Sequence, residues 1–419
     1  MLPNFQQHLQ AYAEVIVKIG LNLRSGQRLV ITALRTDGAP LETAPLVRAV
    51  ARTAYQHGAR YVDVVWGDDQ LRLTRYQSAP PDSFAEYATW HTDLLRQHTD
   101  RGDAVLNLTA EDPTLLNSVN PEHLANARRS MLQHAAGYYD NVMRNAMNWL
   151  VAGASVPGWA AKVFADAPAE EQVDRLWDAI FRICRVYEPD PIAAWQRHLA
   201  DLKARSAYLN RKNYSALRFR GPGTDLTVGL VKRHIWMGGS TVARNGVDFT
   251  ANVPTEEVWT MPHRRQTEGV VRAAMPLNYG GVLIEDFSVE FEHGRVVGFS
   301  AGKNEAVLRK LVETDEGSAR LGEVALAPQT SPIAQSGRLF FNTLYDENAA
   351  SHIALGRAYR FNLEGGEAMP LEAALEAGCN TSLEHVDFMI GSAAMDVDGL
   401  TEGGAVEAVM RGGVWAFSI

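Results

Sequence analysis

Cysteine is nearly missing: Cys184 and Cys379 are the two in 419 residues, far apart and in no CxxC spacing. That excludes a zinc site built on thiolates, and it favours a reducing compartment, so the cytoplasm is the expected location. Long apolar runs are missing as well. No stretch reaches the roughly 18 consecutive apolar residues that a spanning helix requires, so no membrane partner is expected. The first residues, MLPNFQQHLQAYAEVIVKIG, have neither the basic start nor the apolar run of a secretory signal. Positive charge is not in excess: 40 Lys and Arg against 49 Asp and Glu give a formal charge of −9. Such a surface repels phosphate backbones, which excludes nucleic acid as the main partner. The phosphate loop GxxxxGK[ST], a GxGxxG after a strand and the HExxH zinc helix are all absent.

What is present is an ordinary globular composition, 46% hydrophobic and 21% charged. At about 150 residues per domain the length predicts two or three domains, with ample chain for a core. The first part alternates helix and strand. Phe5, Leu9, Tyr12, Ile16 and Ile19 recur at helical spacing. RLVITAL (residues 28–34) reads as a strand, Pro45–His57 as a helix stopped by Gly58, Arg60–Trp66 as a second strand and Asp103–Leu108 as a third. Strands separated by helices predict parallel pairing and an α/β N-terminal domain over residues 1–190. The break falls at Glu188-Pro189-Asp190-Pro191. After a polar helix the rest, residues 191–419, reads as an α+β domain rich in antiparallel sheet. Phe287–Ala301 forms a hairpin turning at His293-Gly294, and Lys303–Thr314 an amphipathic helix.

Several segments carry chemistry. Gly298-Phe299-Ser300-Ala301-Gly302 matches GxSxG, between an apparent strand and an apparent helix. It offers a serine-hydrolase reading through Ser300, against the plainer reading of a strand end with small residues. Glu256 and Glu257 lie between Pro254 and Pro262; in extended chain their side chains oppose, so only one faces a given site. Glu323 is one carboxylate in the apolar run RLGEVAL, where it must be paired, metal-bound or turned to solvent. His352 and Tyr359 are seven residues apart and share a face if the segment is helical, although Gly356 opposes a helix. In the strand-like EHVDFMIG, His385 and Asp387 take one face while Val386 and Phe388 take the other. Three carboxylates and two imidazoles suit zinc, cobalt or manganese. Five ligands exceed the three of a usual catalytic zinc and suit two ions sharing a carboxylate.

The motifs NVPTEEVWTMPHRR, ETDEGSARLGEVALAP, FNTLYDENAASHIALGRAYR and HVDFMIGS occur in this order. With them the chain resembles the thermophilic metalloaminopeptidases, the family of aminopeptidases T and S. The likeness covers nearly the whole length, including FQQHLQAYAEVIVKIGLNLRSGQRLVI and FRGPGTDLTVGL. The resemblance implies Glu257, Glu323, His352, His385 and Asp387 as ligands of two divalent ions in the C-terminal domain. It thereby selects Glu257 over Glu256, and it implies Tyr359 as a catalytic residue. It further implies a cytosolic homodimer that takes residues from peptides with a free N-terminus. The alternatives are the serine hydrolase and a metal- or peptide-binding protein that does no chemistry.

Overall fold

The computed structural model describes residues 2–33, 37–279 and 282–419. The chain forms two compact units, one reaching to Arg197 and adding Ser240–Pro254, the other made of His198–Gly239 and Thr255–Ile419.

In the first unit helix α1 (Phe5–Val15) buries Leu9 and Tyr12, and a further helical turn, Ile16–Gly20, buries Ile16 and Ile19. Strand β1 (Arg28–Thr32) follows; Leu34, the end of the predicted RLVITAL strand, lies outside the described residues. Helix α2 (Ala44–Gln56) stops where Gly58 takes φ +91°, a conformation cheap only for glycine. Strands β2 (Tyr61–Val64), β3 (Ala104–Thr109) and β4 (Trp149–Gly153) complete the run. All pair in parallel, in the order β4-β3-β1-β2, and Asn252–Val253 adds a parallel edge to β4. The central strands are buried along their length, as a parallel sheet covered by helices requires.

The unit boundary differs from the expected division at residue 190. The prolines do start helix α3 (Pro191–Lys212), but the compact unit runs on to Arg197, inside that helix. The excursion Ser240–Pro254 also returns to the first unit, because its strand Asn252–Val253 closes the parallel sheet.

The second unit holds two sheets over one core. The larger is antiparallel and contains, among others, Ala216–Gly221, Thr224–Leu230, Pro262–Arg272, Val282–Glu292, Arg295–Lys303 and Asp396–Leu400. The expected hairpin turns at His293 and Gly294, at φ +50° and +73°, the paired positive values that match strand twist. Helix α4 (Glu305–Val312) follows it. The GxSxG segment is not an elbow. Gly298–Gly302 runs inside the second arm, where Ser300 pairs with Ser288 and faces solvent. A nucleophile elbow needs a tight strand-to-helix turn, so Ser300, in mid-strand, is not the nucleophile of a serine hydrolase of that kind.

The smaller sheet has β5 (Val258–Thr260), β6 (Leu321–Leu326), β7 (His352–Gly356) and β8 (His385–Met389) in the order β8-β7-β6-β5, antiparallel, with Met237–Gly238 beyond β5. The helical option for Ser351–Tyr359 gives way to strand β7. Gly356 sits there at φ +107°, and a Cβ on it would meet the Glu384 carbonyl oxygen at 2.2 Å. One face of this sheet, with Val324, Leu326, Ile353, Leu355 and Phe388, joins the core that also takes Leu217, Phe219 and Val228. Each such side chain stabilises the unit by about 1.5–3 kcal/mol through burial. The opposite face of the same strands carries the polar residues.

Candidate metal centre

The register of the smaller sheet explains why polar residues distant in sequence meet. Glu323 pairs with Ala354 on β7, and Ala354 pairs with Asp387 on β8. Residues directly opposite in antiparallel strands project to the same face, so Glu323, Ala354 and Asp387 form a row. His352 lies two residues from Ala354, and His385 two from Asp387, so period two places both imidazoles on that face. Ala354 and Gly356 leave the middle of it without bulk. Glu257 immediately precedes β5, whose Val258 pairs with Leu326 on the core side; Glu257 therefore turns to the polar side.

The five predicted ligands do converge. His352 Nε2 lies 3.0 Å from Glu257 Oε2, 3.6 Å from Glu323 Oε1 and 4.0 Å from Asp387 Oδ1. His385 Nε2 lies 3.7 Å from Glu323 Oε2 and 3.5 Å from Asp387 Oδ2. Glu323 thus presents one oxygen to each imidazole. Two overlapping triads result, Glu257-Glu323-His352 and Glu323-His385-Asp387, each with its potential ligand atoms within 4.8 Å of one another.

Each imidazole is held from behind. His352 Nδ1 is 3.1 Å from the Ala350 carbonyl oxygen, and His385 Nδ1 is 2.7 Å from that of Arg357. A carbonyl only accepts, so Nδ1 carries the proton in both rings and Nε2 is the nitrogen turned to the carboxylates. Among the described residues, Glu257 Oε2 and Asp387 Oδ1 are buried oxygens without a hydrogen bond. The nearest imidazole to Glu257 Oε2 is His352, with Nε2 at 3.0 Å. Buried carboxylate oxygens left so are costly; a cation beside each would satisfy it.

The electrostatics are those of buried carboxylates and imidazoles in close contact. Burial opposes protonation of His385, but Asp387, Glu323 and the Arg357 carbonyl outweigh it and raise its pKa to about 10. The same contest, against Glu257 above all, leaves His352 well above the ordinary imidazole range. Burial, with Asp387 and Glu257, lifts Glu323 above the usual carboxylate range despite both imidazoles. Burial also works to raise Asp387, yet His385 and His352 hold it below.

Tyr359, half-buried, stacks on Phe361 at 5.2 Å and tilts against the His385 ring at 4.7 Å between centroids. Burial and the carboxylates of Glu323, Asp387, Glu347 and Glu257 push its phenol far up, so its hydroxyl keeps its proton. The site also takes in a residue that the sequence reading missed. Glu347 is pushed well above the carboxylate range by burial and then by Glu257 and Asp387. It follows helix α5 (Thr343–Asp346) in a short turn, Glu347–Ala349, flanked by the buried residues Tyr345 and Ala349. A polar triplet, Asp346-Glu347-Asn348, between apolar neighbours was the available signal.

Glu256 takes no part in either triad. Its Oε2 lies 3.6 Å from His198 Nε2, on the other side of the chain from Glu257. Among the described residues no helix is long and apolar enough to cross a membrane, and both cysteines are free and buried.

Residues 5–415 match the family described as thermophilic metalloprotease (M29). Aminopeptidase 2 of Geobacillus stearothermophilus is 44% identical over 415 residues, covering 99% of each chain. Aminopeptidase AmpS of Bacillus subtilis is 41% identical over 416 residues, covering 99% of this chain and all of that one. The solved structure of wild-type AmpT from Thermus thermophilus superposes with a TM-score of 0.92 at 44% identity, over 99% of this chain and 100% of that chain.

Proposed function

The chain belongs to the thermophilic metalloprotease family M29, and on that premise we propose that it is a metal-dependent aminopeptidase that hydrolyses the first peptide bond of substrates with a free N-terminus. The observation that carries the reading is the pair of triads sharing Glu323, with a separate imidazole on each of its oxygens. Glu257, Glu323 and His352 would hold one divalent ion, and Glu323, His385 and Asp387 a second. Oxygen and imidazole donors without thiolate suit zinc, cobalt or manganese. Bound there, such ions supply Lewis acidity, which lowers the pKa of water and polarises the scissile carbonyl.

The chain's own residues do the rest. The carbonyls of Ala350 and Arg357 keep the imidazoles in the Nδ1–H form, so that each Nε2 is presented as a lone pair. Tyr359 retains its phenolic proton and donates it as a hydrogen bond to the oxyanion that forms at the attacked carbonyl. The clustered carboxylates of Glu257, Glu323 and Asp387, with Glu347 beside them, favour a cationic guest such as the substrate's terminal ammonium, and so peptide ends over internal bonds. The two-domain subunit, with the chemistry in the unit made of His198–Gly239 and Thr255–Ile419, belongs to the same reading. So do a homodimer and a cytoplasmic location. Free thiols at Cys184 and Cys379 suit a reducing compartment.

The test is a panel of short peptides with free and blocked amino ends. Activity should be confined to free ends, vanish on chelation and return with cobalt or zinc. Turnover that survives thorough chelation would refute the metal dependence. Ions bound tightly without any turnover would favour a binding protein instead.

A further inference from the structure

Glu257 enters the centre from backbone that belongs to no strand, since β5 begins only at Val258. Thr255, Glu256 and Glu257 are all buried. Buried amides outside a sheet must find other partners, and here two side chains supply them for one peptide group. The Thr255 carbonyl oxygen lies 2.7 Å from His198 Nε2 on helix α3. The Glu256 N–H, the other half of that amide, donates to Asn348 Oδ1 at 2.7 Å.

The chemistry of both grips is fixed. A carbonyl only accepts, so His198 must carry its proton on Nε2. Asn348 is oriented by its own amide, whose Nδ2 donates to the Leu344 carbonyl at 2.9 Å and so leaves Oδ1 for Glu256. Asn348 is fully buried and directly follows Glu347 in the short turn that borders the centre. A peptide group gripped at its oxygen and at its nitrogen cannot rotate. Rotation of that plane would swing Glu256 and Glu257 together, exchanging which acid faces the polar side of the sheet.

We propose that His198 and Asn348 are positioning residues that clamp the Thr255–Glu256 peptide from both sides and thereby aim the Glu257 carboxylate at the metal centre. The proposal rests on the metal reading above. It also accounts for the two adjacent buried acids: Glu256 turns to His198, and Glu257 to His352.

The experiment uses the whole protein, stripped of metal and titrated with cobalt(II) alone, read by the visible absorption of the bound ion and by competition with a chelator. His198→Ala and Asn348→Ala should each weaken cobalt binding about 10- to 100-fold, the usual cost of losing a group that orients a ligand, and should change the cobalt spectrum. His198→Gln restores an N–H donor and should recover affinity to within a few-fold of the parent. His198→Phe fills the space without a donor and replaces the alanine variant if that does not fold. Folded donor-less variants with parental affinity and spectrum overturn the clamp, as does a glutamine variant no better than alanine. A parent that binds no cobalt overturns the metal reading itself, a distinguishable result.

Discussion

Glu323→Gln is the sharpest perturbation of the centre, because Glu323 alone belongs to both triads. The amide keeps the volume but gives up the charge and one acceptor oxygen. Binding free energies of about 10–16 kcal/mol for four-ligand zinc sites amount to roughly 2.5–4 kcal/mol per ligand. At 1.4 kcal/mol per tenfold, that is a loss of about 10²–10³ in affinity. With free ion at about 1,000 times the parent Kd, loading stabilises the parent by about 4.1 kcal/mol per ion and the variant by only about 0.4–1.4 kcal/mol. For a unit of this size the metal-dependent part of Tm should shrink by roughly 5–15 °C per ion. The assay is thermal unfolding with and without cobalt, together with metal content by atomic emission after gel filtration. Glu323→Gln should lose both ions, whereas Glu257→Gln and Asp387→Asn, each in one triad, should each lose one. If Glu323→Gln retains a full ion while Glu257→Gln loses both, the shared ligand has been assigned to the wrong residue.

Three further outcomes follow from the geometry. Tyr359→Phe should keep its metal content and lose kcat by about 10²–10³, the worth of an oxyanion donor of about 2.7–4 kcal/mol; turnover at the parent rate would remove Tyr359 from the chemistry. Gly356→Ala should cost about 3 kcal/mol or more, since positive φ strains alanine and its Cβ meets backbone at Glu384, so denaturant unfolding that shows no loss would contradict the strand register. In the first unit, burial lowers the pKa of His91 to about 4 from 6.5, and Thr32 Oγ1 lies 2.8 Å from its ring. Between those values the unfolded chain binds a proton that the folded chain refuses. Stability therefore falls as pH drops through 6.5, by about 3 kcal/mol at pH 4. Unfolding of His91→Gln, measured from pH 7 to 4, should lack this component, and an unchanged slope would refute it.

How much of this was legible in the chain depends on how local each determinant is. His385 and Asp387 were readable as one face because period two acts over three residues. The hairpin at His293-Gly294 and the helix stop at Gly58 were readable because left-handed backbone selects residues locally. Alternation showed that Glu256 and Glu257 oppose each other but not which turns inward. That is decided by His198 and Asn348, 58 and 92 residues away from Glu256 in the chain. A separation of seven between His352 and Tyr359 fits a helix; the strand is decided by pairing with β6 and β8, which no local pattern announces. Glu347 was missed because an acid within a polar triplet looks solvated until its turn is packed between other elements. The excursion Ser240–Pro254 was missed for a similar reason: two residues, Asn252 and Val253, suffice to extend the parallel sheet.

Charge bears on how many ions the centre holds. Glu257, Glu323, Glu347 and Asp387 bring four negative charges to one enclosed place when ionised, and the imidazoles, as ligands through Nε2, bring none. One divalent ion would leave two buried charges uncompensated, at a cost of several kcal/mol each. The two divalent ions proposed above would balance all four. Without metal the balance has to come from protons, and the shifts run that way: His352 and His385 are raised far enough to stay charged, while Glu323 and Glu347 are pushed toward their neutral forms. The division between the two proposed ions falls at Glu323, whose two oxygens face different imidazoles across a strand face kept open by Ala354 and Gly356.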